Sequence, residues 1–387
     1  MQTVQPCVTI GSYIWAQDRL PYDEFTLRLD ELRAAMERNG WPAVLVYGDV
    51  REHAALAFLS SFIPRVRWGM ALLPRTGDAR LLCAMSTRDL PAMRTLTWIA
   101  DVRSGMGPEW QKAFDPWFET LTDNQAQNLG TIGFDIMAPV LHTSVRRSLG
   151  ERFSLQRADD IVAIPSRRKR PRELTMMRAS CKLAEAAAKT FADSWRGNHE
   201  PETAALDAER LARSLAAQDV RTLVCLDGGR TLVPFQGRFE KCAGPLVGYI
   251  AVKVAGYWAD MFVTIDDGSI TPAARHAEAA LDAIIANVRS DARTDALHAK
   301  ALGALAPYKL HPILGGSVGH GIGLSLHEGP EFQASADATL VEDGVYTLQV
   351  GAADAKAGNV LMSAIVRVAA KGAEVLLRSP SITSSPD

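Results

Sequence analysis

Cysteine is scarce in this sequence, and its pattern is not one of pairing. The 387 residues hold five, Cys7, Cys83, Cys181, Cys225 and Cys242; the count is odd, the spacing is wide and no CxxC occurs. That excludes a disulfide framework or a zinc knuckle as the organising device. No apolar run approaches bilayer length, and residues 1–15 lack a basic start leading into a long apolar stretch. Neither a membrane span nor a secretory leader is expected. Charge of one sign is missing as well: the formal net charge is -2, so no overall field draws nucleic acid or an anionic membrane. Internal repeats are absent, and low complexity is confined to the Ser/Pro-rich tail from Ser379. A soluble protein of a reducing, cytoplasmic compartment is expected, with no nucleic-acid or membrane partner. The one basic run, Arg167-Arg168-Lys169-Arg170 with Arg172, reads as a linker or helix start in preference to a nucleic-acid patch.

What is present is globular material, 47% hydrophobic and 22% charged, in a length that suits two domains. Residues 24–38 set Phe25, Leu29, Leu32 and Met36 at helical spacing, with Gly40 placed to end the helix. Strands are expected at 43–47, 68–73, 79–84 and 131–134, with a turn at 74–78 and a helix at 141–149. This is an α/β domain, residues 1–163. The polar, basic, proline-bearing stretch 164–172 marks the boundary. Beyond it, residues 164–387 show helical patterns from 173, at 201–217, 272–288 and 295–304. Strands are expected at 249–254 and 257–265 and again across 344–378. That order suits long helices covering a curved antiparallel sheet.

Chemistry concentrates in Gly319-His320-Gly321-Ile322-Gly323-Leu324-Ser325-Leu326-His327-Glu328-Gly329-Pro330. Glycines let the backbone turn sharply and approach a ligand, and the two histidines can then face one pocket. This segment resembles the GHGIGL-x-x-HE stretch of aminopeptidase P, prolidase and methionine aminopeptidase. Arg170-Pro171-Arg172-Glu173-Leu174, Gly256-Tyr257-Trp258-Ala259-Asp260 and Gly344-Val345-Tyr346-Thr347-Leu348-Gln349-Val350-Gly351 resemble further segments of the same pita-bread superfamily, in order, over roughly residues 165–370. The resemblance implies a two-domain α/β protein with a C-terminal pita-bread domain and a smaller creatinase-like N-terminal domain.

The resemblance also implies where five metal ligands would stand. Asp260 and His320 match. Tyr249 stands at the first Asp, Gln349 at the first Glu, and Met362 or Ser363 at the second. No acidic residue occurs from Lys241 to Ala259. Divalent ions need several anionic oxygens to offset their dehydration, so no metal and no cofactor is expected, although Asp260, His320 and His327 could form a mononuclear set. Creatinase implies a route without metal, but the histidine it uses is missing from Leu232-Val233-Pro234-Phe235. The expected catalytic residues are His320 or His327 as acid or base, Asp260 to orient an imidazole, and Glu328 as an orienter or a packing residue. Gln349, Tyr249 and Tyr257 are expected at the substrate. Arg65 and Arg67, before Gly69-Met70, match creatinase-like arginines that reach a partner subunit's pocket, which implies a homodimer. Leu232, Phe235, Tyr257 and Trp258 suggest a dry pocket.

Other patterns fail on inspection. Gly315-Gly316-Ser317-Val318-Gly319 has the G-x-S-x-G form but no later acid followed by a histidine in order. His327-Glu328 begins HExxH, but Glu331 closes it. His53, His142, His199, His276 and His298 stand alone, and His311 is a candidate for the pocket wall. Three functions stay open: a metal-independent enzyme performing hydrolysis or elimination on a small, carboxylate-bearing or hydrophobic molecule; a ligand-binding protein without turnover; and an Xaa-Pro-type metallopeptidase with a rearranged metal site.

Overall fold

A computed structural model describes residues 14–121, 127–234, 236–239, 241, 246–265, 271–354 and 358–380. Cys7, Cys242, Phe235 and the tail from residue 381 lie outside the described residues. The chain divides into two compact units, Met1–Ser166 and Arg167–Asp387. No helix among the described residues is long and apolar enough to cross a membrane.

The first unit is built on one mixed sheet. Its strands are β1 (Ala43–Asp49), β2 (Trp68–Pro74), β3 (Arg80–Cys83), β4 (Asp101–Ser104), β5 (Gln127–Ile132) and β6 (Phe153–Arg157), in the order β4-β3-β2-β1-β5-β6. β1, β2 and β3 pair antiparallel, and β4, β5 and β6 join in parallel. Helix α1 (Tyr22–Asn39) carries acidic Asp23 and Glu24 in its first turn and stops at Gly40, whose φ of 67° supplies the left-handed C-cap. Helices α2 (Glu109–Glu119) and α3 (Pro139–Leu149) set Trp110, Phe114, Phe118, Val145 and Leu149 in a core with Leu45, Leu72 and Leu129 of the sheet.

The second unit holds two antiparallel sheets. One runs β10-β9-β7-β8, from β7 (Asp219–Cys225), β8 (Leu232–Pro234), β9 (Leu246–Val254) and β10 (Tyr257–Ile265). The other follows β13-β12-β14-β15-β16, with β11 (Lys309–Leu310) also paired to β14. Its strands are β12 (Gly319–Gly321), β13 (Glu328–Glu331), β14 (Val345–Asp354), β15 (Gly358–Ala369) and β16 (Gly372–Arg378). The sheets are stitched where Phe262 N–H donates to Ser363 Oγ at 2.9 Å and Thr264 Oγ1 to Leu361 O at 2.8 Å.

Helix α4 (Pro171–Asn198) begins with proline at its first position and Glu173 in its first turn. It buries Leu174, Met177, Cys181, Ala184, Ala188, Phe191 and Trp195, a stripe at three- and four-residue spacing. Phe191, fully buried, lies under Gly248 of β9, where a Cβ would stand 2.5 Å from its ring. That glycine is what lets the helix reach the sheet. Helix α5 (Pro201–Ser214) covers β7, and α6 (Pro272–Ile285) packs its alanine face, with Leu281 and Ile284, on β14 and β15. The basic run leads into α4. Arg168 faces Glu342 and Asp343, Lys169 faces Glu328, and the Arg170 N–H donates to Glu173.

Candidate active site

The site starts from strand alternation. In β10, Trp258, Asp260 and Phe262 point to one face, and Tyr257, Ala259 and Met261 to the other. The second face meets the helices: Ser180 of α4 donates to Tyr257 O, and the Tyr257 hydroxyl donates to Glu173 at 2.9 Å. The first face turns towards β14. Asp260, 1% exposed, receives three donors there. Thr347 Oγ1 donates to Oδ1 at 2.8 Å, Tyr249 Oη to Oδ2 at 3.0 Å, and Gln349 Nε2 to Oδ2 at 3.3 Å. Burial pushes the Asp260 carboxyl above its ordinary value, against the opposing pull of His320, Thr347 and Tyr249. Burial and the Asp260 charge together hold the Tyr249 phenol well above its own, so it remains a donor.

His320 arrives from β12, directly across from Thr347. Its Nδ1 lies 2.8 Å from Gly321 O, so in the neutral ring Nδ1 carries the proton and Nε2 is the acceptor. Burial lowers its pKa, while Asp260 pulls it upward. The His327 ring stacks on His320 with centroids 4.0 Å apart and planes at 24°. His327 is the exposed member, and its Nε2 meets Glu331 Oε1 at 2.8 Å. Burial raises the Glu331 carboxyl, but the hydrogen bond and charge of His327 outweigh this and hold it below its ordinary value. Glu331, His327 and His320 lie in contact from solvent inward, and the charge of buried Asp260, which accepts from Tyr249, acts on His320.

Two expected site residues of the second unit stand off this group. Tyr257 is fully buried on the helix-facing side, three residues from Asp260 and therefore on the opposite face of the strand, and cannot line this pocket. Glu328 forms an ion pair with Lys169 Nζ at 2.9 Å and accepts the Ser325 N–H at 3.1 Å. Its carboxylate braces the turn that carries His327. Gly323 makes that brace fit, since a Cβ there would stand 2.8 Å from Glu328 Oε1 and 2.9 Å from Lys169 Nζ. Arg65 and Arg67 belong to the first unit, where exposed Arg67 has a φ of 58° and lies 3.4 Å from Met106 Sδ.

Ser363 pairs with Gln349, whereas Met362 pairs with Val350 on the other face. Ser317 donates to Gly319 O and has no imidazole partner. His311 is buried, with Nε2 on Gly229 O and Nδ1 accepting the Ile313 N–H, so it fastens a turn. Leu232 and Tyr249 pack against an apolar cluster of Cys225, Val247, Phe262, Leu314 and Leu361. Thr347 and Glu331 were missed by the sequence reasoning. Thr347 was open to it, because two residues before Gln349 on a strand means the same face. Glu331 was not: it meets His327 four residues before it, and a bulged β12–β13 pairing sets it across from His320.

The family model of metallopeptidase family M24 matches residues 175–370. This chain belongs to metallopeptidase family M24. Prolidase from Pyrococcus horikoshii OT3 is 17% identical with a TM-score of 0.76, covering 92% of this chain and 99% of that one. X-Pro aminopeptidase from Thermotoga maritima MSB8 is 16% identical with a TM-score of 0.76, covering 91% and 98%. The N-terminal domain of FACT complex subunit SPT16 from Cicer arietinum is 15% identical with a TM-score of 0.69, covering 94% and 97%. No curated protein matches. At these identities the structures establish the shared fold, a two-domain α/β chain with a C-terminal pita-bread domain. Among the described residues of this M24 member, no three His, Cys, Asp or Glu side chains are grouped to hold a metal ion.

Proposed function

We propose that this M24 protein hydrolyses a small carboxylate-bearing molecule through His320, His327 and Asp260, without a two-metal centre. One observation carries the reading: Asp260 is buried, and both its oxygens already accept protein donors. A cation would compete with Tyr249, Thr347 and Gln349 for the same lone pairs. Tyr249, Gln349 and Ser363 are neutral groups where the resemblance expects carboxylates, and Ser363 is engaged with the Phe262 N–H. This donor set does not fit a dinuclear ion pair.

The open Nε2 of His320 takes a proton from water as its oxygen attacks the substrate carbonyl. The buried Asp260 beside it stabilises the resulting imidazolium, and the proton then passes to the leaving nitrogen. His327, stacked above and held by Glu331, gives His320 its connection to solvent. The test is turnover of small N-acyl amino acids and X-Pro dipeptides, with and without chelator, in the native protein and in a His320→Ala/His327→Ala double variant. Turnover that survives chelator and vanishes in the variant is expected. Two tightly held transition-metal ions per chain, with inactivation by chelator, would defeat the reading.

A second reading has its own support. The solved structures sharing nearly the whole chain include a prolidase and an X-Pro aminopeptidase, and Asp260 and His320 remain close together. A peptidase with a rearranged metal site predicts X-Pro cleavage that depends on added divalent metal. Affinity without turnover under any metal loading would instead select a binding protein. Arg65 and Arg67 serving a neighbour's pocket predicts a homodimer by sedimentation.

A further inference from the structure

Arg221 is a cation that no sequence pattern singled out, and β7 places it on the inner face. It pairs across the sheet with Ala251, which pairs in turn with Asp260, so all three side chains leave the same face in one row. Two strand spacings separate Arg221 from Asp260 along that row, about 10 Å between backbones. The guanidinium stacks on Trp258, two residues before Asp260, with Cζ 4.6 Å from the ring centroid. Trp258 is itself 2% exposed, and Lys253 Nζ lies 5.1 Å from the same ring. A guanidinium lying on an aromatic face keeps its N–H edge free to bind. Its ion pair with Asp219 is loose, 3.7 Å, and Arg213 shares that carboxylate at 3.8 Å. The Arg221 side chain is 56% exposed. Its charge also acts on the Tyr249 phenol.

We propose that Arg221, lying over Trp258, anchors the anionic group of the substrate on the sheet face that carries Asp260. This rests on the proposed reading of the Asp260 pocket as a small-molecule site, and it moves carboxylate recognition from Arg65 and Arg67 to the sheet that carries Asp260. A planar guanidinium grips a carboxylate through paired N–H donors, which a lysine ammonium cannot reproduce. The anchor discriminates a carboxylate from its uncharged amide.

The experiment is calorimetric binding of three matched pairs, hippurate, N-acetyl-L-proline and benzoate, each against its primary carboxamide. The proteins are the native chain, Arg221→Met, Arg221→Lys and the His320→Ala/His327→Ala variant. At least one carboxylate should bind the native protein some tenfold more tightly than its amide. Arg221→Met should weaken that carboxylate about 10- to 100-fold, leave the amide unchanged, and retain the native unfolding midpoint. Arg221→Lys should recover part of the loss, and the histidine variant should keep the preference. A preference undiminished in Arg221→Met, or no preference in any pair, overturns the anchor. Absence of turnover with the carboxylate preference intact would sink the hydrolase reading alone.

Discussion

Replacing Lys169 by Met removes the cation of a buried charge cluster, and the cost follows from what stays behind. The Lys169 side chain is 4% exposed and lies 2.9 Å from Glu328, which is 20% exposed. Burial pulls the Lys169 pKa down, but Glu328 and Glu173 outweigh it and hold the ammonium charged. Without it, Glu328 and the 1% exposed Glu173 lose that cation in a place with little water. Breaking a buried pair from one side costs about 3–5 kcal/mol. For a unit of roughly 220 residues that lowers the melting temperature by about 6–20 °C. Glu328→Gln should cost less, about 1–3 kcal/mol, because Lys169 retains Glu173. The double variant should be more stable than the summed single effects by at least ~1.5 kcal/mol, the coupling expected of direct contact. Urea titrations of the four proteins measure all of this. A Lys169→Met variant within about 1 kcal/mol of the native chain would refute the reasoning, as would simple additivity. Turnover should fall as well, because Glu328 and the Trp258 N–H, which donates to Gly323 O at 2.8 Å, hold the turn that presents His327.

Tyr257→Phe separates the two faces of β10: it should cost about 1–3 kcal/mol by taking a donor from buried Glu173, while kcat/KM stays within about twofold of native. Glu374 accepts from Arg178 and Arg367 at 2.7 Å each. The Arg178 hydrogen bond chiefly, and then Arg367, outweigh burial and hold its carboxyl below the ordinary 4.5. A depressed folded-state value means that this contribution is complete above pH 4.5 and is lost as pH falls through the lowered value. Unfolding midpoints followed from neutral to acid pH should therefore drop less steeply below 4.5 in Glu374→Gln than in the native protein, and equal slopes would contradict it.

Much of the site could be read from the sequence, because glycine-histidine spacing and strand alternation are local. The pocket faces of β10 and β14 follow from Asp260 and Gln349 by counting in twos. That count also places Trp258 and Thr347 with them and removes Tyr257, whose aromatic character alone had suggested the pocket. The opening of α4 and the hairpin of β9 and β10 were equally local. β7 was not: Asp219–Cys225 is short and follows directly on α5, so no strand was expected there and Arg221 went unnoticed. The placing of Glu331 across from His320 depends on register, and the Lys169–Glu328 pair, 159 residues apart, on packing that composition does not carry.

The same long-range packing gives a reason for a lone carboxylate to persist inside this pocket. A buried Asp without cations is costly unless its oxygens are satisfied. Here Thr347 comes from across the β12 register, Tyr249 from the neighbouring strand, and Gln349 from two positions along β14, and together they occupy both oxygens. Phe262 and Leu361 border this array with an apolar wall, where each hydrogen bond and the His320 charge act at low dielectric. In the proposed reading, the hydroxyl and amide donors do what ions would otherwise do, fixing and partly neutralising Asp260. They leave the imidazole beside it as the group able to carry a proton to and from solvent. Substituting any one donor by an apolar isostere should then disturb the His320–Asp260 pair before it disturbs the fold.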